Sequence, residues 1–309
     1  MSKLDRIEEL QRLIKDDPQD FHTRRQLAVL LMDCGFNEEA LQNLLYLSKN
    51  FSYDEGIFYN LGIVYEKMKN FEKAEEAYLH AIELEPESYD SIYNLGLVYT
   101  ELRKFDKAIE CFKKVLEEDS EDSNSYFNLG LVYFKQKSYD KAMEAFQKTI
   151  DINDEDLYAH FYIGNIFKEF GDLESAKEKF KKVLSISPDY SWAYFNLAVI
   201  YNEENNLELA SVNLHKTIEM NPHDVEAYKI LIKIYIKQND YQNAESVIKQ
   251  ALENCEETGN LDYLGAIIYR NLSDKENYIN FLNRSIKNYQ TLSLPVQKVK
   301  DELNKVKQS

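Results

Sequence analysis

Residues Tyr126–Asn153, YFNLGLVYFKQKSYDKAMEAFQKTIDIN, decide the fold. In the first half, Tyr126, Leu129, Gly130 and Tyr133 recur at i, i+3, i+4 and i+7, the apolar face of one helix. The stretch has copies on both sides. Glycines at Gly62, Gly96, Gly130 and Gly164 step by 34 residues. Alanines at Ala40, Ala74, Ala108, Ala142, Ala176, Ala210 and Ala244 keep the same step, and Pro18, Pro86, Pro188 and Pro222 are separated by multiples of it. Three residue types on one period mark an array of repeats, each too small to bury its apolar face alone. Units begin near Phe21, Glu55, Tyr89, Ser123, Leu157, Ser191 and Val225.

Each signature residue has a physical reason. Glycine costs about 1 kcal/mol in a helix interior, so its return predicts a close approach between helices. Ala142 gives room from the other side, and Phe112, Phe146 and Phe180 fill the space between. Ala198 and Ile232 replace the glycine in the sixth and seventh units, which predicts looser or shifted packing there. Short polar connections such as Gly171-Asp172 and Asn205-Asn206 tolerate turns. Proline after the second helix cannot extend it and presets entry into the next.

The pattern resembles the tetratricopeptide repeat family, including its bacterial-type members: N-L-G-x-x-Y, an aromatic-x-x-A-x-x-x-F-x-x-A/V-I/L stretch, then proline. The resemblance covers residues 21–258 as seven repeats. It implies an all-α protein, a right-handed α-solenoid (superhelix) of helix-turn-helix units. Residues 259–292 read as a degenerate eighth repeat, in which Leu264-Gly265 and Ile268 fit but Tyr278, Leu282 and Ser285 need a one-residue shift. Residues 1–20 fit a half-repeat covering the first unit. Val296, Val299, Leu303 and Val306 stripe a cap helix within 293–309, as the open end of a stack requires.

Composition narrows the function. Apolar residues make up 44% of the 309, enough for a sizeable core, and glycine and proline together number only 14, too few for a turn-rich architecture. The net charge of −17 disfavours nucleic acid and anionic membranes. Residues 270–309 hold eight Lys/Arg against four Asp/Glu, so the preceding part carries about −21, a body that attracts basic partners or simply stays soluble. Cys34, Cys111 and Cys255 show no CxxC pairing and read as reduced, mostly buried thiols. The N-terminus lacks the apolar core of a signal peptide, which together with the reduced thiols gives the cytoplasm as the expected location.

No chemistry stands out. His22, His80, His160, His215 and His223 make no metal-ligand spacing, His160 falls on a core position, and no GxGxxG, GxxxxGK[ST] or GxSxG occurs. No catalytic residue, metal site or cofactor is expected. The informative residues lie beside the core stripe of the first helices, at about 100° per residue. Asn60, Asn94, Asn128 and Asn196 form a ladder interrupted at Tyr162, with Asn165 nearby. Tyr59, Tyr93, Phe127, Phe161 and Phe195 run beside it, and Trp192, the only tryptophan, occupies the same rim. In the family this flank lines the concave surface. The ladder is similar to the asparagine-lined groove in the repeat region of O-linked N-acetylglucosamine transferase.

An amide offers donor and acceptor to an extended peptide backbone. It can equally bond within its own repeat, and both roles stand at this point, as do groove floor and inter-repeat packing for the aromatic row. The clamp by which chaperone-binding members hold a C-terminal carboxylate is disfavoured, because Lys67 and Lys135 read as isolated cations with Glu101 between them. The resemblance therefore implies a protein-protein interaction scaffold or adaptor, not an enzyme, that binds a peptide or partner protein. The alternative is a regulatory or substrate-recruiting subunit of a separate enzyme such as a glycosyltransferase, residues 259–309 being too few for a catalytic domain. Homo-oligomerisation through the solenoid ends is a third reading.

Overall fold

The computed structural model describes residues 2–256 and 258–308. Among them are eighteen α-helices, one short 3-10 turn (Tyr289–Thr291) and no strand. The first, or A, helices of the pairs are α2 (Phe21–Cys34), α4 (Glu55–Lys67), α6 (Tyr89–Glu101), α8 (Ser123–Lys135), α10 (Leu157–Phe170), α12 (Ser191–Glu203), α14 (Val225–Lys237) and α16 (Gly259–Asn271). The second, or B, helices are α3 (Asn37–Asn50), α5 (Phe71–Leu84), α7 (Phe105–Glu118), α9 (Tyr139–Ile152), α11 (Leu173–Ile186), α13 (Leu207–Met220), α15 (Tyr241–Asn254) and α17 (Lys275–Lys287). At the ends stand α1 (Lys3–Asp16) and α18 (Val296–Gln308). The chain divides into an N-terminal unit ending at Ala159 and a C-terminal unit starting at His160. Consecutive helices pack on one another from α1 to α9 in the first and from α11 to α18 in the second.

The turn between A and B helices is the most regular feature. One residue per pair has positive φ: Gly35, Lys69, Arg103, Lys137, Gly171, Asn205, Asn239 and Ser273, 34 residues apart throughout. The next residue closes the A helix through its N–H, as when Asn70 donates to the Tyr65 carbonyl (2.8 Å) and Asp172 to Phe167 (2.9 Å), the long bond of a Schellman ending. In five of the eight pairs the same residue's side chain then caps the B helix. Asn70, Asp172, Asn206, Asp240 and Asp274 each accept from the backbone N–H three residues on.

Inside each pair an aromatic ring lies over the A-helix glycine. A Cβ at Gly96, Gly130 or Gly164 would stand 2.8, 2.7 and 2.9 Å from the rings of Phe112, Phe146 and Phe180. Tyr78 covers Gly62 and Phe281 covers Gly265 in the same way, sixteen residues on in every case. Ala198 and Ile232 are both fully buried, but the two units differ: α12 packs on α13 as closely as the glycine-bearing pairs do, whereas α14 and α15 approach less closely, the shift expected there. In the sixth unit Leu214, also fully buried, stands at the ring's position, so the methyl of Ala198 meets a smaller side chain; in the seventh the bulk of Ile232 faces Ile248 and sets the helices further apart.

In the N-terminal unit Ile7 and Leu10 of α1 join the core formed by Leu27, Leu31 and Leu44. In the C-terminal unit Val299 and Leu303 of α18 are buried with Phe281 and Leu282. Glu302 of α18 accepts from the hydroxyls of Tyr263 and Tyr278, tying the last helix to both members of the preceding pair.

Candidate functional site

The helix pairing leaves the fifth and sixth residues of each A helix on one face. In the N-terminal unit this face is more tightly bonded than the sequence suggested. Asn60 Nδ2 donates to the Gly56 carbonyl (2.7 Å), and Asn128 Nδ2 to that of Asn124 (2.9 Å). Asn128 Nδ2 also reaches back to the Tyr93 hydroxyl on α6, at 2.8 Å. A Tyr–Asn pair thus links neighbouring repeats. Burial and the Asp122 carboxylate push the Tyr93 hydroxyl up, against the hydrogen bond from Asn128. Tyr59 is raised likewise by burial and by Asp90, against a hydrogen bond from Asn94. The amides are half-buried and spend their N–H groups inside the protein, so this flank does serve packing. Among the described residues, the Oδ1 atoms of Asn60 and Asn128 accept no hydrogen bond.

The aromatic row rests on the rings that cover the glycines. Tyr59 lies 6.2 Å from Tyr78, Tyr93 5.7 Å from Phe112, Phe127 5.6 Å from Phe146 and Phe161 5.7 Å from Phe180. Each is anchored below and half-buried, with part of its ring on the face.

In the C-terminal unit the same face opens into a cleft of about 460 Å³. Phe161, Asn165 and Lys168 of α10, Tyr190, and Trp192, Phe195 and Asn196 of α12 line it. It gathers five residues singled out from the sequence: Phe161, Asn165, Trp192, Phe195 and Asn196. Tyr59, Asn60, Tyr93, Asn94, Phe127 and Asn128 are spread over α4, α6 and α8. Trp192 is 54% exposed, whereas Asn196 is only 5% exposed and does not open to solvent. Asn196 Nδ2 donates to the Trp192 carbonyl (2.9 Å), and its Oδ1 accepts from Lys168 Nζ (2.5 Å). Burial lowers the Lys168 pKa, opposed by the Glu169 and Glu203 carboxylates.

Sequence reasoning missed Lys168 and Tyr190. A signal existed for the first: the repeat phase of Lys168 holds Glu66, Thr100, Phe134 and Asn202 in neighbouring units, so a cation there is out of pattern. Nor are Lys67 and Lys135 isolated, because Lys67 Nζ donates to the Met32 carbonyl (3.0 Å) and Lys135 pairs with Glu101 (3.6 Å). Their ammonium groups are held by the chain itself. Among the described residues no cluster of three or more His, Cys, Asp or Glu could hold a metal ion, and no helix is long and apolar enough to cross a membrane.

Family models described as tetratricopeptide repeat match residues 1–57, 57–88, 93–157 and 227–261, and one described as TPR repeat matches 164–203. The chain is a tetratricopeptide repeat protein. A solved tetratricopeptide repeat protein from Parabacteroides merdae aligns over 82% of this chain and 99% of its own, at 18% identity and a TM-score of 0.56. MamA 41-end from Desulfovibrio magneticus RS-1 aligns over 56% of this chain and 97% of its own, at 23% identity and a TM-score of 0.53. Both likenesses are of fold. No curated protein matches the sequence. On this face the aromatic row and the N-terminal amides are half-buried, while Asn196 is buried.

Proposed function

We propose that this protein is an interaction scaffold that holds an extended segment of a partner protein against the A-helix face. One observation carries the reading. The ladder amides keep their N–H groups for the protein, which leaves Oδ1 of Asn60 and Asn128, two repeats apart, as acceptors for a ligand. An extended chain presents backbone N–H groups at regular intervals, and a row of fixed acceptors can bind them without reading the sequence. The acidic body favours segments that bring Lys or Arg as well. No step of bond chemistry is assigned to these residues.

Peptides selected from a random library on the intact protein test this. Asn60→Ala/Asn128→Ala should weaken their binding about tenfold, each neutral hydrogen bond contributing about 0.5–1.5 kcal/mol. Because Asn128 also bonds Tyr93, the double variant should lose some stability, so affinity is compared per folded molecule. Tyr93→Phe separates the two roles: it removes the inter-repeat bond while leaving Oδ1 in place. Peptide affinity that falls as far with Tyr93→Phe as with Asn128→Ala would mean the amides are only struts. Recovery of a single enzyme as the cellular partner would favour a recruiting subunit over a general scaffold.

A further inference from the structure

The cleft of the C-terminal unit has a property the amide ladder lacks. Four rings wall it, in edge-to-face pairs: Phe161 with Tyr190 at 5.4 Å and 77°, and Trp192 with Phe195 at 6.4 Å and 81°. Such pairs leave ring faces and edges available to a further ring. Beside them sits Lys168, half-buried, whose hydrogen bond goes to a neutral amide oxygen. Two other lysines withdrawn from solvent in this unit are closed by the chain's own carboxylates. Lys177 pairs with Glu174 (2.7 Å) and Glu204 (2.8 Å), and Lys229 with Glu226 (2.5 Å). Glu169 and Glu203 act on Lys168 through space without bonding it.

A partly desolvated ammonium bonded only to a neutral partner gains from an anion that arrives at hydrogen-bond distance. Asn165 stands three residues before Lys168 on α10, so the two side chains are neighbours on one helix face. Among the described residues its amide makes no hydrogen bond, and it can donate to the second oxygen of the same carboxylate.

We propose that this cleft reads a two-residue feature of the partner: an aromatic side chain packed against Trp192 and Phe195, and an adjacent carboxylate side chain bound by Lys168 and Asn165. This rests on the scaffold reading and gives one stretch of its peptide a chemistry. Here the site is a donor facing an anion, while the N-terminal unit offers acceptors.

Trp192 is the only tryptophan, so its emission reports the cleft in the full-length protein. The probes are the capped dipeptides acetyl-Phe-Glu-amide, acetyl-Phe-Gln-amide and acetyl-Ala-Glu-amide at millimolar concentration. Phe-Glu should shift Trp192 emission and bind about three- to tenfold more tightly than Phe-Gln. That advantage should shrink with added salt, vanish in Lys168→Met and survive in Lys168→Arg, with melting curves confirming that each variant is folded. Equal binding of Phe-Glu and Phe-Gln would overturn the carboxylate half, and equal binding of Phe-Glu and Ala-Glu the aromatic half. No emission change with any probe would overturn the site altogether. Library-selected peptides that still bind through the amide ladder would then leave the scaffold reading standing.

Discussion

The sixth residue of an A helix meets a different neighbour in each half of the molecule. In the N-terminal unit Asn128 gives an N–H to the Tyr93 hydroxyl of the preceding repeat. In the C-terminal unit Asn196 offers its carbonyl oxygen to Lys168, and the preceding aromatic is Phe161, which has no hydroxyl to give or take. The repeat determines where the amide projects. What it bonds, and which of its atoms remains for a ligand, depends on one residue in the neighbouring unit. A repeat array can therefore vary its chemistry along its length while its packing stays constant.

The largest effect should come from contrasting two lysines of the C-terminal unit. Lys177, whose side chain is 10% exposed, is raised to about 12 by hydrogen bonds to Glu174 and Glu204. Lys177→Met should cost about 1.5–3 kcal/mol at neutral pH, as charged hydrogen bonds do. That contribution is complete below the ordinary lysine pKa and fades as pH rises through about 12. Lys168, lowered by burial, has the opposite sign. Its charge is a burden in the folded state, relieved as pH climbs through its lowered value towards that of a free lysine. Lys168→Met should be neutral or mildly stabilising at pH 7 and lack this alkaline gain. Chemical denaturation across pH checks both. A Lys168→Met variant as damaged as Lys177→Met would show that the neutral amide holds its cation as firmly as two carboxylates.

A slightly smaller effect should separate the two ways of filling a helix pair. Gly130→Ala drives a methyl into the Phe146 ring, whereas Ala198 already faces Leu214. The substitution should cost about 1–3 kcal/mol, and Phe146→Leu in the same chain should restore part of it. Additive costs in the double-mutant cycle would mean that ring and glycine are independent. The smallest effect concerns the turns. Lys137 holds a φ of 58°, where Gly171 occupies the matching place one repeat on. Lys137→Gly should raise stability by about 0.5–1 kcal/mol, strain relief exceeding the added chain entropy, while Gly171→Lys should lower it. Melting temperatures that do not move would mean the surrounding turn absorbs the strain.

These contrasts also mark what the sequence disclosed. The 34-residue period was legible because proline, glycine and alanine are rare or small enough to be noticed in phase. The ring over the glycine was half legible, since Phe112, Phe146 and Phe180 stand out but Tyr78 serves in one unit and Leu214 in another. The left-handed turn residue was half hidden: lysine, arginine and serine carry no conformational signature, whereas Gly171 and Asn205 stood out as turn residues. In the eighth pair Ser273 keeps the turn phase while Gly265 and Phe281 fall one residue early together, so aligning either helix alone looks like a slip. For the site, Phe161, Asn165, Trp192, Phe195 and Asn196 came from phase alone. Their convergence on one cleft did not, because it depends on Lys168 and Tyr190. The Tyr93–Asn128 bond spans 35 residues, and no local pattern announces a hydrogen bond between successive repeats.

The double use of Asn70, Asp172, Asn206, Asp240 and Asp274 bears on how such a chain tolerates changes of length. At each of these seams one residue ends a helix with its N–H and begins the next with its side chain. An inserted residue there would uncouple both terminations at once and swing one helix of the pair out of line with its partner. Among the described residues, the connections from B helix to A helix have no such shared residue holding both ends. Loops, tags or whole added segments belong at those junctions, where growth leaves every hairpin intact.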